Sequence, residues 1–377
     1  MYIHFPFCML KCLYCDFNSI AGAAIPHSAY CAAVLKEMEI RRSALPSEVT
    51  ASTLYLGGGT PSLMEPRLVG LLINDARRLF ALAPDAEITM EANPGTVNRE
   101  RLVEYRVAGV NRLSLGIQSF SEGMLVRLGR AHTAREGLAS FKAARDAGFD
   151  NVGIDLIHSL PEQTAEMWQE ELARAVSLRP EHISAYGLTI EAGTPFHHLE
   201  RSGELNLPEE ETAAEMFEKT SLLLCKTGYE QYEISNFALP GFRSRHNQVY
   251  WQRGDYLGFG AGAHSFLSTP PLARRWKNQD EPESYIQSLA NSIIPEEGIS
   301  FITERDAMSE WLFLGLRMLD GVDSEAFRRD FGLPLHEAYA KELQLLLSEA
   351  LLEWRGPLLR LTRRGLILSN QVFMRLI

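Results

Sequence analysis

The chain has 377 residues, 46% of them apolar and 23% charged, which is enough for one large domain and a smaller one. Its formal net charge of −11 argues against nucleic acid as a partner, because proteins that bind phosphate backbones carry a basic patch. No apolar run approaches the roughly 20 residues of a membrane-spanning helix, and Met1 leads into a strand-like Tyr2-Ile-His-Phe rather than a basic then apolar leader; these features predict a cytoplasmic protein with no transmembrane segment.

The first predicted strand, Tyr2–Phe5, runs directly into Cys8, Cys12 and Cys15, three of the chain's five cysteines within eight residues. At this Cys frequency a given cysteine would have partners at both offsets by chance about 2 times in 10,000. Three thiols so close cannot all pair with one another, and an intracellular compartment keeps them reduced, so they read as ligands. Structural zinc normally takes four protein ligands, whereas an iron–sulfur cluster takes thiolates and tolerates one iron without a cysteine. Cys31 and Cys225, set in helical stretches among apolar neighbours, read as small buried hydrophobes.

Further short β-rich runs follow at Thr53–Gly57, Glu87–Glu91, Arg112–Ile117, Asn151–Leu156 and His182–Leu188. Helical patterns lie between them, at Ser28–Arg42, Pro66–Ala81, Arg99–Ala108, Ala134–Ala147 and Ala165–Leu178, with another at Glu210–Thr227. Six βα units in series imply a parallel sheet that right-handed crossovers curl into an incomplete barrel, so the predicted class is α/β with a (β/α)6 partial barrel over residues 1–236. Polar residues cluster where those strands end: Gly57-Gly-Gly-Thr-Pro61, Glu91, Gln118 and Asp155, with Arg130 in Arg-Leu-Gly-Arg. Singly, each is as readily a loop anchor as a ligand contact.

Residues 237–300 are rich in Gly, Pro and aromatics without clean periodicity and read as a connecting region with function in its loops. They carry Arg245-His-Asn-Gln-Val-Tyr-Trp251 and Gly260-Ala-Gly-Ala-His264. Residues 301–377 read as helices at Thr303–Leu319, Ser324–Phe331 and Pro334–Leu351, then a ribbon from Leu352 and Leu358 and a last helix from Thr362. That is a mainly helical, winged-helix-like domain. With Glu337, Glu342 and Glu349 in the third helix, it suits a structural or partner-binding cap better than a DNA reader.

The Cys-x3-Cys-x2-Cys spacing, with Tyr14 before the third cysteine, resembles that of the radical S-adenosylmethionine (SAM) superfamily. Within it the chain resembles the oxygen-independent coproporphyrinogen III oxidase family from Tyr2 to near the C-terminus. The resemblance implies a [4Fe-4S] cluster held by Cys8, Cys12 and Cys15, whose open iron takes SAM. It also implies that Gly58, Gly59 and Thr60 hold the SAM amino group, Glu91 and Gln118 the ribose, Arg130 the carboxylate and Asp155 the nucleoside side, with Tyr2 and Tyr14 as the motif aromatics.

Two departures weigh against the family's oxidative decarboxylation. Phe17 stands where the decarboxylating oxidases have a fourth cysteine, and only seven residues precede Cys8. His246-Asn-x-x-Tyr250-Trp251, in turn, is similar to the motif of the family's haem-chaperone branch. That likeness implies a protein that binds haem and hands it to a haem-requiring client, membrane-associated clients included. His246 is then the candidate axial ligand, Tyr250 and Trp251 stack on the macrocycle, Arg243 or Arg245 lies near the propionates, and His264 is a second candidate ligand. The competing readings are an anaerobic coproporphyrinogen III dehydrogenase and a radical SAM enzyme acting on some other substrate.

Overall fold

The computed structural model describes residues 1–22, 24–46, 49–268 and 273–377. Six strands, β1 (Tyr2–Phe5), β2 (Thr53–Gly58), β3 (Glu87–Ala92), β4 (Arg112–Gln118), β5 (Val152–His158) and β6 (His182–Gly187), lie side by side in chain order and all parallel. Helices return the chain between most of them, which makes the incomplete (β/α)6 barrel expected of the sequence. The sheet is extended by Gly258–Phe259, parallel to β1, at one edge, and at the other by Asn236–Ala238, antiparallel to β6, with Glu230–Gln231 outermost.

The alternation in β4 shows why the barrel has two faces. Leu113, Leu115 and Ile117 are fully buried in the layer between sheet and helices, while Arg112, Ser114, Gly116 and Gln118 line a cavity inside the barrel. Successive strand side chains point to opposite faces, so one phase is apolar and the other polar. The helices start and stop on local signals. Thr133 and Glu136 form a reciprocal capping box before Ala134–Asp146, and Gly109 closes Arg99–Ala108 in the left-handed region at φ 116°. Every reactive group at a strand's C-terminal end therefore faces one mouth.

The segment read as a connecting region holds a helix, Arg245–Trp251, and a second one at Pro282–Ala290. It also holds an antiparallel sheet of His264–Leu267, Ala273–Asn278 and Glu296–Ile302. Beyond it, Leu312, Phe327, Tyr339, Leu346 and Leu359 build a separate small core. Around that core stand helices Glu304–Gly315 and Ser324–Phe331 and an antiparallel sheet of Val322–Asp323, Leu358–Leu361 and Leu352–Arg355, a winged-helix-like arrangement. The third predicted helix is broken into Leu335–Ala338 and Ala340–Ser348 at Tyr339, which leaves helical geometry at φ −128°.

Cys31 is buried as expected, but Cys225 is exposed. Its helix buries Met216, Thr220 and Leu224, and Cys225 stands a further 100° round from that stripe. Among the described residues no helix is long and apolar enough to cross a membrane.

Candidate functional site

The cysteine loop leaves β1 at Pro6 and returns at Ile20, whose amide donates to the Pro6 carbonyl at 2.8 Å. It is pinned to the barrel wall by Leu13 N donating to Leu128 O at 3.1 Å, and by Phe196 N donating to Leu13 O at 3.0 Å. Across from it, β2 ends in the glycine run. The amides of Gly59 and Thr60 donate to Phe5 O and Phe7 O at 2.8 and 2.9 Å, so the two segments are stitched backbone to backbone. A Cβ on Gly59 would stand 2.7 Å from Phe7 O and 3.0 Å from both Phe5 O and the Cys8 sulfur. Glycine is required there by close approach rather than by its dihedral freedom.

A relay of polar contacts joins two of the cysteines around the cavity wall. Thr60 Oγ1 donates to Cys8 Sγ at 3.4 Å, and Asn93 Nδ2 donates to Thr60 Oγ1 at 2.9 Å. Arg130 then donates to Asn93 Oδ1 at 2.6 Å through Nη2 and to Cys12 Sγ at 3.4 Å through Nη1. A second Arg130 bond, to Gly116 O at 2.8 Å, fixes the guanidinium, while its Nε is buried without a partner. Burial pushes the Cys15 thiol up, so its proton has to be displaced by whatever it ligates.

Opposite the cysteines, Glu91 accepts from the Tyr55 hydroxyl at 2.8 Å and from Gly58 N at 3.2 Å, yet burial raises its carboxyl to about 7. Asp155 accepts from Ser114 Oγ at 2.9 and 3.1 Å and is likewise pushed up by burial. Gln118 sits at φ 65° where the β4 register slips against β5. That left-handed residue ends the strand and sends the chain into the loop that begins at Ser119.

The structure thus brings Cys8, Cys12, Cys15, Tyr14, Gly58 and Gly59 to one cavity of about 370 Å³. Thr60, Glu91, Gln118, Arg130 and Asp155 line the same cavity, whose size is that of a small-molecule pocket. Tyr2 is stacked on Tyr55 and lines a neighbouring cavity with Tyr250 and His264. The residues missed from sequence are Tyr55, Asn93, Arg112 and Ser114. Glu91 and Asn93, like Arg112, Ser114 and Gln118, share a period-2 phase, but closure of the sheet alone decides that this phase faces the lumen.

The His246 motif occupies a different place. Its helix closes the barrel floor, with the amides of Arg245 and His246 donating to the Glu87 carboxylate at 3.0 and 2.9 Å. His246 is buried, its Nδ1 bonded to Thr53 Oγ1 at 2.8 Å and its Nε2 to the Tyr250 hydroxyl at 2.9 Å, and its ring stacks on Tyr55. Trp251 packs with Tyr232 and Met318 under the Arg317 guanidinium, 4.4 Å from the ring. Arg243 is paired with Glu230 and Asp320, and Arg245 with Asp85.

Residues 2–175 match the Radical SAM superfamily and residues 302–368 match the HemN C-terminal domain. The backbone resembles that of coproporphyrinogen III oxidase (HemN) from Escherichia coli, with a TM-score of 0.84 over 100% of this chain and 89% of that one at 24% identity, a likeness of fold. The haem chaperone HemW of Bacillus subtilis is 36% identical across 99% of this chain and 97% of its own length. That of Escherichia coli is 44% identical across 72% of this chain and 70% of its own. The barrel and its cysteine loop define a radical SAM superfamily protein. Within that superfamily, the chain belongs to the HemW family.

Proposed function

We propose that the protein is a haem-binding chaperone that also holds a [4Fe-4S] cluster and SAM. The observation that carries this reading is the convergence of three cysteines, the glycine run, Glu91, Gln118, Asp155 and Arg130 in one cavity of a chain whose relatives are haem chaperones. Cys8, Cys12 and Cys15 are the cluster ligands, and three thiolates leave one iron open for SAM. When bound, the cluster supplies the electron for reductive cleavage of the SAM sulfonium.

The residues fit that group. Gly59 keeps its side free for the approach of Cys8, and the Arg130 Nε is a buried donor without an acceptor, as a carboxylate reader needs. Deprotonated Glu91 and the Gln118 amide accept from ribose hydroxyls.

Phe17 supports the chaperone reading. It is 60% exposed at the rim shared by both cavities, with Leu10 at 52% beside the one that holds the cysteines. An exposed apolar rim suits an apolar macrocycle, and Phe17 cannot serve as a fourth thiolate. Ligation of haem iron by His246 requires its ring to give up one of its two hydroxyl partners, since an axial ligand needs a free nitrogen lone pair. His264 lines the neighbouring cavity with no side-chain hydrogen bond among the described residues. The haem spectra of His246→Ala and His264→Ala therefore distinguish a motif helix that opens from one that stays closed.

The test of the whole reading is anaerobic reconstitution with iron and sulfide, followed by two assays. We expect about four irons per chain in the wild type and a saturable haem spectrum. Supplied with SAM, a reductant and coproporphyrinogen III, the protein should give no vinyl product. Catalytic turnover to vinyl product would overturn the proposal in favour of a dehydrogenase.

A further inference from the structure

The barrel floor holds a buried cation that makes no ion pair with any described residue, although the Asp155 carboxylate lies within its electrostatic reach. Arg112, the first residue of β4, is only 2% exposed and lines the main cavity at the end away from the cysteine loop. Its Nε has no partner, and no hydrogen bond or ion pair joins its guanidinium to any described residue. Arg41 shows what this chain does with a buried structural arginine. There Glu37, Glu296 and Asn278 accept at 2.6, 2.6 and 2.7 Å. A buried charge left unpaired is strongly destabilising, so a site that keeps one is built for something that arrives.

The acids nearest the floor are already committed. Glu87 takes the two amides of the motif helix, and Asp155 takes the Ser114 and Ser184 hydroxyls. The groups that share the floor with Arg112 are neutral donors. Asn247, from the motif helix, lines the same cavity. The Tyr232 hydroxyl accepts from Ser244 N, so its own proton goes to His182 Nε2, 2.8 Å away. His182 then carries its hydrogen on Nδ1, which has no partner. With Asp155 and Glu91 on the walls, one guanidinium matches a monoanion better than a doubly charged phosphate.

We propose that the barrel floor is a carboxylate site, in which Arg112, helped by Asn247, anchors the carboxylate of a small molecule that enters through the mouth. The inference rests on the functional reading above for its source alone. Haem supplies that carboxylate as a propionate, whereas in that reading the SAM α-carboxylate is taken by Arg130 beside the cysteine loop, at the other end of the cavity.

The test compares wild type with Arg112→Gln, which keeps N–H donors and removes the charge, in titrations with four probes. These are haem, haem dimethyl ester, SAM and decarboxylated SAM. The expected result is that Arg112→Gln weakens haem by about tenfold or more, as loss of a charge-assisted bond does, and leaves the ester unchanged. A loss confined to SAM, with haem unchanged, would overturn it, because the SAM carboxylate belongs to Arg130 at the other end of the cavity. Equal affinities of a folded variant and the wild type for all four probes overturn it.

Should Arg112→Gln not fold, Asn247→Leu takes its place with the same probes and a smaller selective loss. Affinities that match the wild type for all four would again overturn the proposal. Wild-type protein that takes up neither haem nor its ester would overturn the functional reading and this site with it, whereas equal wild-type affinity for haem and its dimethyl ester would overturn the site alone.

Discussion

At Glu91, burial and function pull on the same proton. Its carboxyl is raised to about 7, whereas an unfolded chain releases that proton near 4.3. Between those values the folded state holds a proton that the unfolded state has lost, so this residue's contribution to stability is lost as pH rises through that window. The ionised form is the one that accepts from ribose hydroxyls. SAM should therefore bind about tenfold tighter at pH 8 than at pH 6, and calorimetry of Glu91→Gln should show that dependence gone. Gly59 makes a steric prediction. Its missing Cβ is bounded by two carbonyls and the Cys8 sulfur, so Gly59→Ala should cost about 1–3 kcal/mol in urea unfolding and lower the iron bound per chain on reconstitution. Sequence made Glu91 and the glycine run legible because each breaks an apolar strand at its end. Asn93 and Arg112 stayed hidden, because which phase of a strand faces a lumen is set only when the sheet closes.

The helix Arg245–Trp251 shows how an element's role escapes its sequence. Its motif suggests a ligand-binding face, but Glu87 caps its first amides, and Thr53 and Tyr250 take both nitrogens of His246. Read along the chain, nothing links residue 246 to residues 53 and 87; only barrel closure does. Burial pushes the His246 imidazole well below its usual value, with the N-terminal amine and Arg112 as lesser causes. The stability it contributes is present above about pH 6.5 and is lost as pH falls. His246→Ala leaves the buried Thr53 hydroxyl and the half-buried Tyr250 hydroxyl without a partner and should cost about 2 kcal/mol or more, read by urea denaturation at pH 7.5. The variant should also lose the part of the acid destabilisation that His246 supplies. The barrel strands, by contrast, were legible to within two residues of their observed ends. Each is a short β-branched and aliphatic run between helical periods, and parallel strands covered on one side need such runs. The antiparallel sheet of His264–Leu267, Ala273–Asn278 and Glu296–Ile302 was not, since its strands carry charged residues such as Arg274, Arg275 and Glu297 where a barrel strand has an apolar run.

At the scale of the whole molecule, the C-terminal domain bears on the same floor. Its small core is separate, yet the chain between the two units is fastened at several points. Leu319 N donates to Tyr232 O at 3.1 Å, and Glu310 accepts from Arg253 and Arg275 at 3.0 and 2.9 Å. Arg317 adds its guanidinium over the Trp251 ring. Trp251 is the last residue of the motif helix, so the winged-helix-like domain holds the plug of the barrel from outside while Glu87 holds it from inside. A cation–π contact of this kind is worth about 1–2 kcal/mol when desolvated. That is enough to shift how often the plug opens without unfolding the barrel. Arg317→Ala should therefore speed amide hydrogen exchange about fivefold or more in Gln248 to Trp251, while the amides of β4 and β5 keep wild-type protection. If haem reaches His246 through such an opening, the same variant should take up haem faster at unchanged final occupancy, measured by stopped-flow absorption. Equal exchange in the motif helix of the two proteins would mean that the C-terminal domain rests on the barrel without governing its floor.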